Sequence, residues 1–586
     1  MNPMFKTDSY KFSHKDMFVP NTNLVYSHVT PRNNKYLKEM YPDIPDTVIV
    51  FGLQYVVRSL KKDWDDNFFA KPWAEIEKEA FSILGPHLGK PDASFLDNFK
   101  QLHKLGYLPI RIKGIPELTE VPLNVPIATI QNTHPDFFWL TNDLEPVILG
   151  QIYTPLTVAT IGRLLAKLRD KYFDMSCEDN DPFRDFALHD FSFRGHPSWE
   201  SALQASIAFS LYTKGTDTVV GLKGMVDYYD AKETCYSLSA TEHSLTSQGI
   251  LHYGELGIKL LYESDSSITR EDIIAKYVGM YPEFTGDHIL SLYSLVQQLD
   301  TKELNEHESR LLTGELINLY RLLVIKYPIG MLAYVSDTFN YYALVNKILP
   351  VLKDIIISRD GKCVLRPDSG NPETVILGHY KSTNQLVADL PDGSFYRIDD
   401  RTYIKSKGET HQLAENLNIV DINYEQKGTI EVLARIFGTK LNSKGFEELP
   451  PQIGIVYGDG ITYERMGNIY KELTNRGYSV NCICMAAGAY MLSGSITRDS
   501  LSLVVKASQT RIGDKLQPVY KDPVTDKGKT SPSGFLKVTE IIGKIMCIPN
   551  VSEEQEIKGM LKVIFEDGQL GNQVDYDTLR LKAKEL

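Results

Sequence analysis

Cys363-Val-Leu-Arg-Pro-Asp-Ser-Gly370 is a short apolar run that stops abruptly in Arg, Pro, Asp, Ser and Gly. The same design recurs in Met331-Leu-Ala-Tyr-Val-Ser-Asp337 and in Ile453-Gly-Ile-Val-Tyr-Gly-Asp-Gly460, and more loosely in Val480-Asn-Cys-Ile-Cys-Met-Ala-Ala-Gly488. Apolar runs without polar alternation are the mark of strands covered on both faces, the condition of a parallel sheet. Helical patterns separate them. In Thr429–Gly438, residues Ile430, Leu433, Ala434 and Phe437 follow helical spacing, with Thr429 expected to cap and Gly438 to terminate. Polar clusters at one strand end after another predict an α/β fold: an irregular β/α barrel with a parallel sheet core and a site at the strand C-termini. Isolated surface turns would not require Arg and Asp so regularly.

Working outward, residues 250–311 read as a helical excursion, and residues 376–426 as a β-rich insert with a turn at Leu390–Ser394 between Gln385–Ala388 and Phe395–Ile398. The chain has 586 residues, which by length alone suggests about four domains. With 63 Lys+Arg against 75 Asp+Glu its formal charge is −12, which opposes general nucleic-acid binding but leaves room for local phosphate-holding patches. Hydrophobic residues make up 42%, enough to exclude disorder for most of the chain. Six cysteines without a C-x-x-C pair give neither a disulfide scaffold nor a metal site, and Cys482 and Cys484 are expected on one face of a buried strand. Neither a signal peptide nor an eighteen-residue apolar stretch is present, so a reducing, cytoplasmic location is expected.

Four segments carry chemistry. Leu188-His-Asp-Phe-Ser-Phe-Arg-Gly195 sets an Arg among aromatics, and Lys214-Gly-Thr-Asp-Thr218 surrounds one carboxylate with small residues. Ser239-Ala-Thr-Glu-His-Ser244 holds an acid–histidine pair that small neighbours leave accessible. Arg366-Pro-Asp-Ser-Gly-Asn-Pro372 presents guanidinium, carboxylate and hydroxyl together, a set suited to an anionic, hydroxyl-bearing ligand such as a sugar phosphate, or to Mg²⁺. Each alone has a bland reading: core packing for Phe191, a helix cap for Asp217, a solvated surface for each lysine.

In chain order these segments resemble the nicotinamide phosphoribosyltransferase family, of the type II phosphoribosyltransferases. The likeness begins at Thr7-Asp-Ser-Tyr-Lys11 and Pro20-Asn-Thr22 and runs through Arg32, Phe51-Gly-Leu-Gln-Tyr55, Trp139-Leu-Thr-Asn142 and Thr157-Val-Ala-Thr160. It takes in the four segments above and closes with Thr497-Arg-Asp499, Lys506 and Lys521-Asp-Pro-Val524, leaving out only the two insert-like segments. The resemblance implies transfer of phosphoribose from phosphoribosyl pyrophosphate to nicotinamide, with Mg²⁺ and with ATP as a stimulating co-substrate. It further implies a homodimer with shared active sites, acting on small molecules only, with neither nucleic acid nor membrane as partner. The architecture it implies adds a second, mainly β domain, built from 1–160 and 491–586 around a barrel at 161–490.

By the same resemblance Phe191 and Tyr10, the latter from the partner subunit, sandwich the pyridine ring, and Asp217 accepts the amide N–H. Arg194 and Arg366 face phosphates, Asp368 the ribose, and Gly458 and Asp459 the nucleotide. His243 is the phosphoryl acceptor from ATP, with Glu242 to orient it. Arg498 and Lys506 hold the 5′-phosphate end, Arg32, Lys521 and Lys529 contribute across the dimer interface, and Asp337 and Asp8 are candidates for Mg²⁺. One departure stands out. The family's glycine-rich phosphate turn is here Ala486-Ala-Gly-Ala-Tyr490, where Gly488 alone remains and Tyr490 offers a hydroxyl. The nicotinate enzyme, or a non-catalytic nucleotide-binding protein on the same scaffold, are the alternatives. Asp217 opposes the first, because it would repel a carboxylate substrate.

Overall fold

The computed structural model describes residues 1–263, 269–378, 395–398, 401–406, 409–413, 420–421, 428–494, 496–525 and 530–586. The chain forms two compact units. The first comprises Met1–Lys167, Asp190–Cys235 and Ala489–Leu586; the second comprises Leu168–His189 and Tyr236–Gly488.

The first unit begins its sheet with β1 (Thr22–Thr30), β2 (Ile110–Gly114) and β3 (Ala128–Asn132). Between β1 and β2 runs α1 (Leu53–Trp64), opened by the Phe51-Gly-Leu-Gln-Tyr55 stretch. Buried Glu117 accepts the N–H groups of Gly52 at 3.0 Å and Gln54 at 2.8 Å, which closes donors that a helix start leaves open. Burial pushes the Glu117 carboxyl up to about 7, against the pull of those amides. Gly52 itself has φ +102°, and a Cβ there would lie 2.5 Å from Pro155 Cγ, so neither the backbone nor the space admits another residue.

The second unit holds the parallel sheet. Its strands are β4 (Leu188–Asp190, of which the first two residues lie in this unit), β5 (Ser239–Ala240), β6 (Gly330–Val335), β7 (Gly361–Arg366), β8 (Ile453–Tyr457) and β9 (Ile483–Ala487). They lie side by side in the order β5–β6–β7–β8–β9–β4 as a curled half-barrel, with parallel pairing from β5 through to β9. The four apolar runs of the second half therefore become four adjacent strands, β6 to β9. Cys482 departs from expectation: it ends the 3₁₀ turn Val480–Cys482 ahead of β9, and burial raises its thiol to about 12.

Helices of this unit include α2 (His243–Leu261), α3 (Arg270–Tyr277), α4 (Gly286–Val296), α5 (Glu306–Tyr320) and α6 (Thr429–Phe437). The segment 250–311 is helical over most of its described residues, and it begins within the helix that His243 starts. Helices α2 and α5 pack very closely: a Cβ on Gly314 would lie 2.2 Å from the Ile250 carbonyl oxygen. At α6 the cap is Gly428, at φ 76°, and not Thr429, whose hydroxyl donates to the Val375 carbonyl at 2.7 Å; Gly438 terminates as expected. Within 376–426, Phe395–Ile398, Arg401–Ser406 and Glu409–Leu413 pair antiparallel in sequence, and Val420–Asp421 pairs parallel with the first of them. The expected turn at Leu390–Ser394 and the strand Gln385–Ala388 lie outside the described residues.

The chain then returns to the first unit with a short α7 (Ala489–Leu492), β10 (Val504–Ile512), β11 (Lys515–Pro518), β12 (Lys562–Glu566) and β13 (Gln569–Leu570). These complete an antiparallel sheet in the order β11–β10–β1–β3–β2–β12–β13. The segment Asp190–Cys235, expected inside the barrel domain 161–490, belongs instead to this first unit. Arg58 Nη1 reaches Asp230 Oδ1 at 3.0 Å, Gln54 donates to the Tyr228 carbonyl at 2.9 Å, and the Tyr576 hydroxyl donates to the Ile207 carbonyl at 2.6 Å. Among the described residues no helix is long and apolar enough to cross a membrane.

Candidate active site

In the second unit the loops that follow parallel strands converge at one sheet edge, where open α/β sheets place their ligands. Strand β5 runs into Thr241-Glu242-His243, β6 into Ser336-Asp337-Thr338, β7 into Pro367-Asp368-Ser369, and β8 into Gly458-Asp459-Gly460. Backbone bonds lock these exits together. Thr241 N donates to the Ala333 carbonyl at 2.9 Å, Val335 N to Thr241 Oγ1 at 2.8 Å, and Ser336 N to the Arg366 carbonyl at 3.2 Å.

Asp337 is the hub. Its side chain is only 5% exposed, and Oδ2 accepts Asp368 N at 2.9 Å and Ser369 Oγ at 2.5 Å. The other oxygen, Oδ1, is buried without a hydrogen-bond partner and lies 3.7 Å from His243 Nε2; Asp368 Oδ2 is 3.9 Å from the same nitrogen. His243 Nδ1 meets Thr338 Oγ1 at 3.3 Å. The Tyr457 hydroxyl donates to the Ser369 carbonyl at 2.7 Å. Burial, and then the charges of Asp337, Asp459 and Asp368, raise that phenol well above its ordinary value, so it remains a donor. An exposed histidine held between two strand-end loops is placed to act as a nucleophile at nitrogen.

Glu242 does not take the orienting role expected of it. Its carboxylate accepts the Ser244 hydroxyl, and the acids that face the imidazole come from two other loops. Arg366 is half-buried with its Nε unpartnered, which leaves it available to an anion. Gly458 is half-buried and Asp459 exposed at the end of β8. Gly488 closes β9; a Cβ there would meet nothing within 4 Å.

The first unit gathers a different set. Asp190 is fully buried, and its Oδ1 accepts Ser192 N at 2.9 Å and Ser192 Oγ at 2.6 Å, while Oδ2 accepts Thr216 Oγ1 at 2.9 Å. The Asp190 carbonyl accepts Asp217 N at 2.9 Å. This one residue therefore binds the Phe191 motif to the Asp217 motif: Phe191 follows it directly, half-buried, and Asp217 is exposed beside it. Exposed Arg194 sits in the 3₁₀ turn Phe193–Gly195, and a Cβ on Gly195 would lie 2.5 Å from Ala489 Cβ.

Two residues of this set were not singled out from the sequence. His196 Nε2 meets Ser192 Oγ at 3.0 Å and His196 Nδ1 meets Ser493 Oγ at 2.9 Å, joining the Asp190 network to the segment after α7. The spacing Asp190-Ser192-His196 was a visible signal; Ser493, 297 positions away, gave none. The altered glycine turn is resolved in the same region. Ala489 and Tyr490 start α7 in helical conformation, so the turn needs no left-handed residue, and Tyr490 stands 64% exposed.

Cations collect in the first unit as well. Arg32 N donates to the Leu501 carbonyl at 2.9 Å and its Nε to the Ser502 carbonyl at 3.2 Å, while Arg498 Nη1 reaches the Leu503 carbonyl at 3.4 Å. Exposed Lys506 follows on β10, paired with His28 of β1; burial first, and then Lys506, lower that imidazole to about 4. Tyr10 is 57% exposed, its hydroxyl donating to Asp8 Oδ2 at 3.2 Å, and neighbouring Lys11 is anchored by Glu145 at 2.8 Å. Lys521 is exposed, and Lys529 lies outside the described residues.

Among the described residues no three His, Cys, Asp or Glu side chains are arranged to hold a metal alone. The partnerless Asp337 Oδ1 and Asp368 Oδ2, which both approach His243 Nε2, nevertheless fit Mg²⁺, which takes one or two carboxylates and completes its shell with substrate oxygens and water. Asp8, the other candidate, spends its carboxylate on Tyr10.

Residues 2–65 match the family model "Nicotinamide phosphoribosyltransferase, N-terminal domain", and residues 335–569 match the "Nicotinate phosphoribosyltransferase (NAPRTase) family". A nicotinamide phosphoribosyltransferase of Acinetobacter baylyi is 27% identical over 596 aligned positions, covering 100% of this chain and 97% of the relative. One from Mycoplasma pneumoniae is 27% identical and covers 90% of this chain and 93% of the relative. The crystal structure of human nicotinic acid phosphoribosyltransferase superimposes with a TM-score of 0.51 at 13% identity, over 99% of this chain and 93% of that one, a likeness of fold. Two family models on separate stretches, and relatives matched along their whole length, converge: the chain belongs to the nicotinate and nicotinamide phosphoribosyltransferase family.

Proposed function

We propose that this protein transfers phosphoribose from phosphoribosyl pyrophosphate to the ring nitrogen of nicotinamide, releasing pyrophosphate and forming nicotinamide mononucleotide for NAD salvage. The observation that supports the choice of substrate is the Asp190 network, which ties the backbone of Asp217 to the residue just before Phe191. A carboxylate there accepts an amide N–H and repels nicotinate, so the nicotinate reading fits less well. The relatives named for the nicotinamide enzyme support the same choice.

The C–N bond forms as the C–O bond to pyrophosphate breaks, through an oxocarbenium-like state as in other glycosyl transfers. Phe191, with Tyr10 of the partner subunit in a homodimer, holds the ring plane so that its nitrogen faces the sugar carbon. Arg194, Arg366, Arg32, Arg498 and Lys506 neutralise phosphate oxygens, and Asp368 receives ribose hydroxyls. Tyr490 lends its hydroxyl to the phosphate end. Asp337 and Asp368 would hold Mg²⁺, which supplies charge neutralisation of the leaving pyrophosphate. His243 accepts the terminal phosphoryl group of ATP as the N–P bond forms and ADP leaves, with the Asp337 and Asp368 carboxylates facing its ring. The protein acts in the cytoplasm on small molecules.

Nicotinamide mononucleotide formation by the purified chain, with Mg²⁺ and with or without ATP, tests this reading. Product should form in both cases and faster with ATP, and His243→Ala should lose the ATP stimulation while keeping a basal rate. Absence of both mononucleotide and pyrophosphate would overturn it.

A further inference from the structure

A cleft of about 400 Å³ lies in the second unit between α2, α5 and the edge of the sheet. Thr241 of the β5 exit lines it while His243, Asp337 and Asp368 do not, and its wall includes Leu245 and Thr246 from the first turn of α2. The volume falls within the range of ordinary small-molecule pockets, roughly 300–1,000 Å³.

The lining has a definite character. Arg321 is its one Lys or Arg, and no Asp or Glu lines it. Arg321 Nε is buried without a hydrogen-bond partner, and its guanidinium lies 5.5 Å from the Tyr253 ring centre. Glu283, which accepts the Tyr253 hydroxyl, lies outside the lining and balances part of that charge. Asn318 is 1% exposed and lines the cleft with its Oδ1 likewise unpartnered. Glycine at 249 gives that amide its room, since a Cβ there would lie 2.4 Å from Asn318 Oδ1. Tyr253 and His252 stand edge to face at 4.9 Å, and Tyr327 adds a third ring to the wall. Buried polar groups without partners cost about 1–3 kcal/mol each, so a pair of them in the wall of one cleft favours an occupant. A cation with no lining acid selects an anion, and the rings select a flat partner.

We propose that this cleft is a second small-molecule site, separate from the strand-end cluster, that takes an aromatic-ringed anion of mononucleotide size. The phosphate meets Arg321, Asn318 accepts and donates to the base, and the ring packs against Tyr253 and His252.

Equilibrium dialysis of labelled AMP against the full chain tests the site, with phosphoribosyl pyrophosphate and Mg²⁺ saturating so that the strand-end site is filled. One AMP equivalent should remain bound. Arg321→Met and Asn318→Leu should each weaken it by about tenfold or more, while Asp368→Asn leaves it unchanged. Gln248→Leu, on the same wall, stands in if either variant fails to fold. No resistant equivalent, or one that the wall variants retain, would overturn the proposal. The dialysis does not depend on turnover. Failure of the proposed activity would appear separately, as absent phosphoribosyl pyrophosphate binding, in which case AMP alone with the same variants decides.

Discussion

Replacing Asp337 with Ala should cost activity through the loop it fixes, even before any loss of Mg²⁺ affinity is counted. The carboxylate ties Asp368 N at 2.9 Å and Ser369 Oγ at 2.5 Å, and so fixes the loop that presents Arg366 and Asp368. Hydrogen bonds to a charged group are worth about 1.5–3 kcal/mol each. Asp368 and Ser369 are exposed, however, so water replaces part of what is lost, and about 2 kcal/mol is the fair figure. At 1.4 kcal/mol per tenfold, kcat/KM for phosphoribosyl pyrophosphate should fall by roughly 30-fold. Asp337→Asn keeps an acceptor for the loop but loses the charge facing His243, so it should fall less in the absence of ATP and lose most of its ATP stimulation. Steady-state nicotinamide mononucleotide formation at varied phosphoribosyl pyrophosphate, with and without ATP, separates the two. An Asp337→Ala enzyme within threefold of wild type would refute the role given to this hub.

Three further outcomes follow from other parts of the molecule. Asp217→Ser should relax the amide preference, lowering kcat/KM for nicotinamide by about tenfold and admitting nicotinate; a variant that still refuses nicotinate and keeps wild-type nicotinamide affinity would contradict the account of Asp217. Burial holds the Glu315 carboxyl up at about 8, against an ordinary 4.5, so the stability its neutral form contributes is complete below about 4.5 and is lost as pH rises through about 8. Glu315→Gln stays neutral, and its Tm advantage over wild type should grow between about pH 5 and pH 9; a pH-independent difference in thermal melts would contradict this. Gly52→Ala forces a Cβ to 2.5 Å from Pro155 Cγ at φ +102° and should destabilise the first unit by about 3 kcal/mol, seen as a Tm several degrees lower.

The parallel sheet was legible because its signal is local: an apolar run that stops at a polar cluster carries both the strand and its functional end. The antiparallel sheet was not, since β1 pairs with β10 some 480 positions along the chain, as in His28 opposite Lys506, and each strand alone is only a short apolar segment. The site divides the same way. Phe191, Asp217, His243 and Asp368 stood out as motif residues, but partners were misjudged wherever adjacency in sequence stood in for adjacency in space. Glu242 sits next to His243 and bonds Ser244; Asp337 and Asp368, far along the chain, face the imidazole. Thr429 has the right chemistry for a cap, yet Gly428 at φ 76° occupies that position and frees the hydroxyl for Val375. The concern over Ala489 and Tyr490 came from reading a glycine turn into a stretch that the fold makes helical.

A competition between the two pyridines reads the choice of substrate. Equimolar labelled nicotinamide and nicotinate are supplied to the purified protein with phosphoribosyl pyrophosphate, Mg²⁺ and ATP, and the mononucleotides are separated. Label should accumulate in nicotinamide mononucleotide with stoichiometric pyrophosphate and little in the nicotinate product. Preferential labelling of nicotinate mononucleotide, or labelling of neither, would contradict the account.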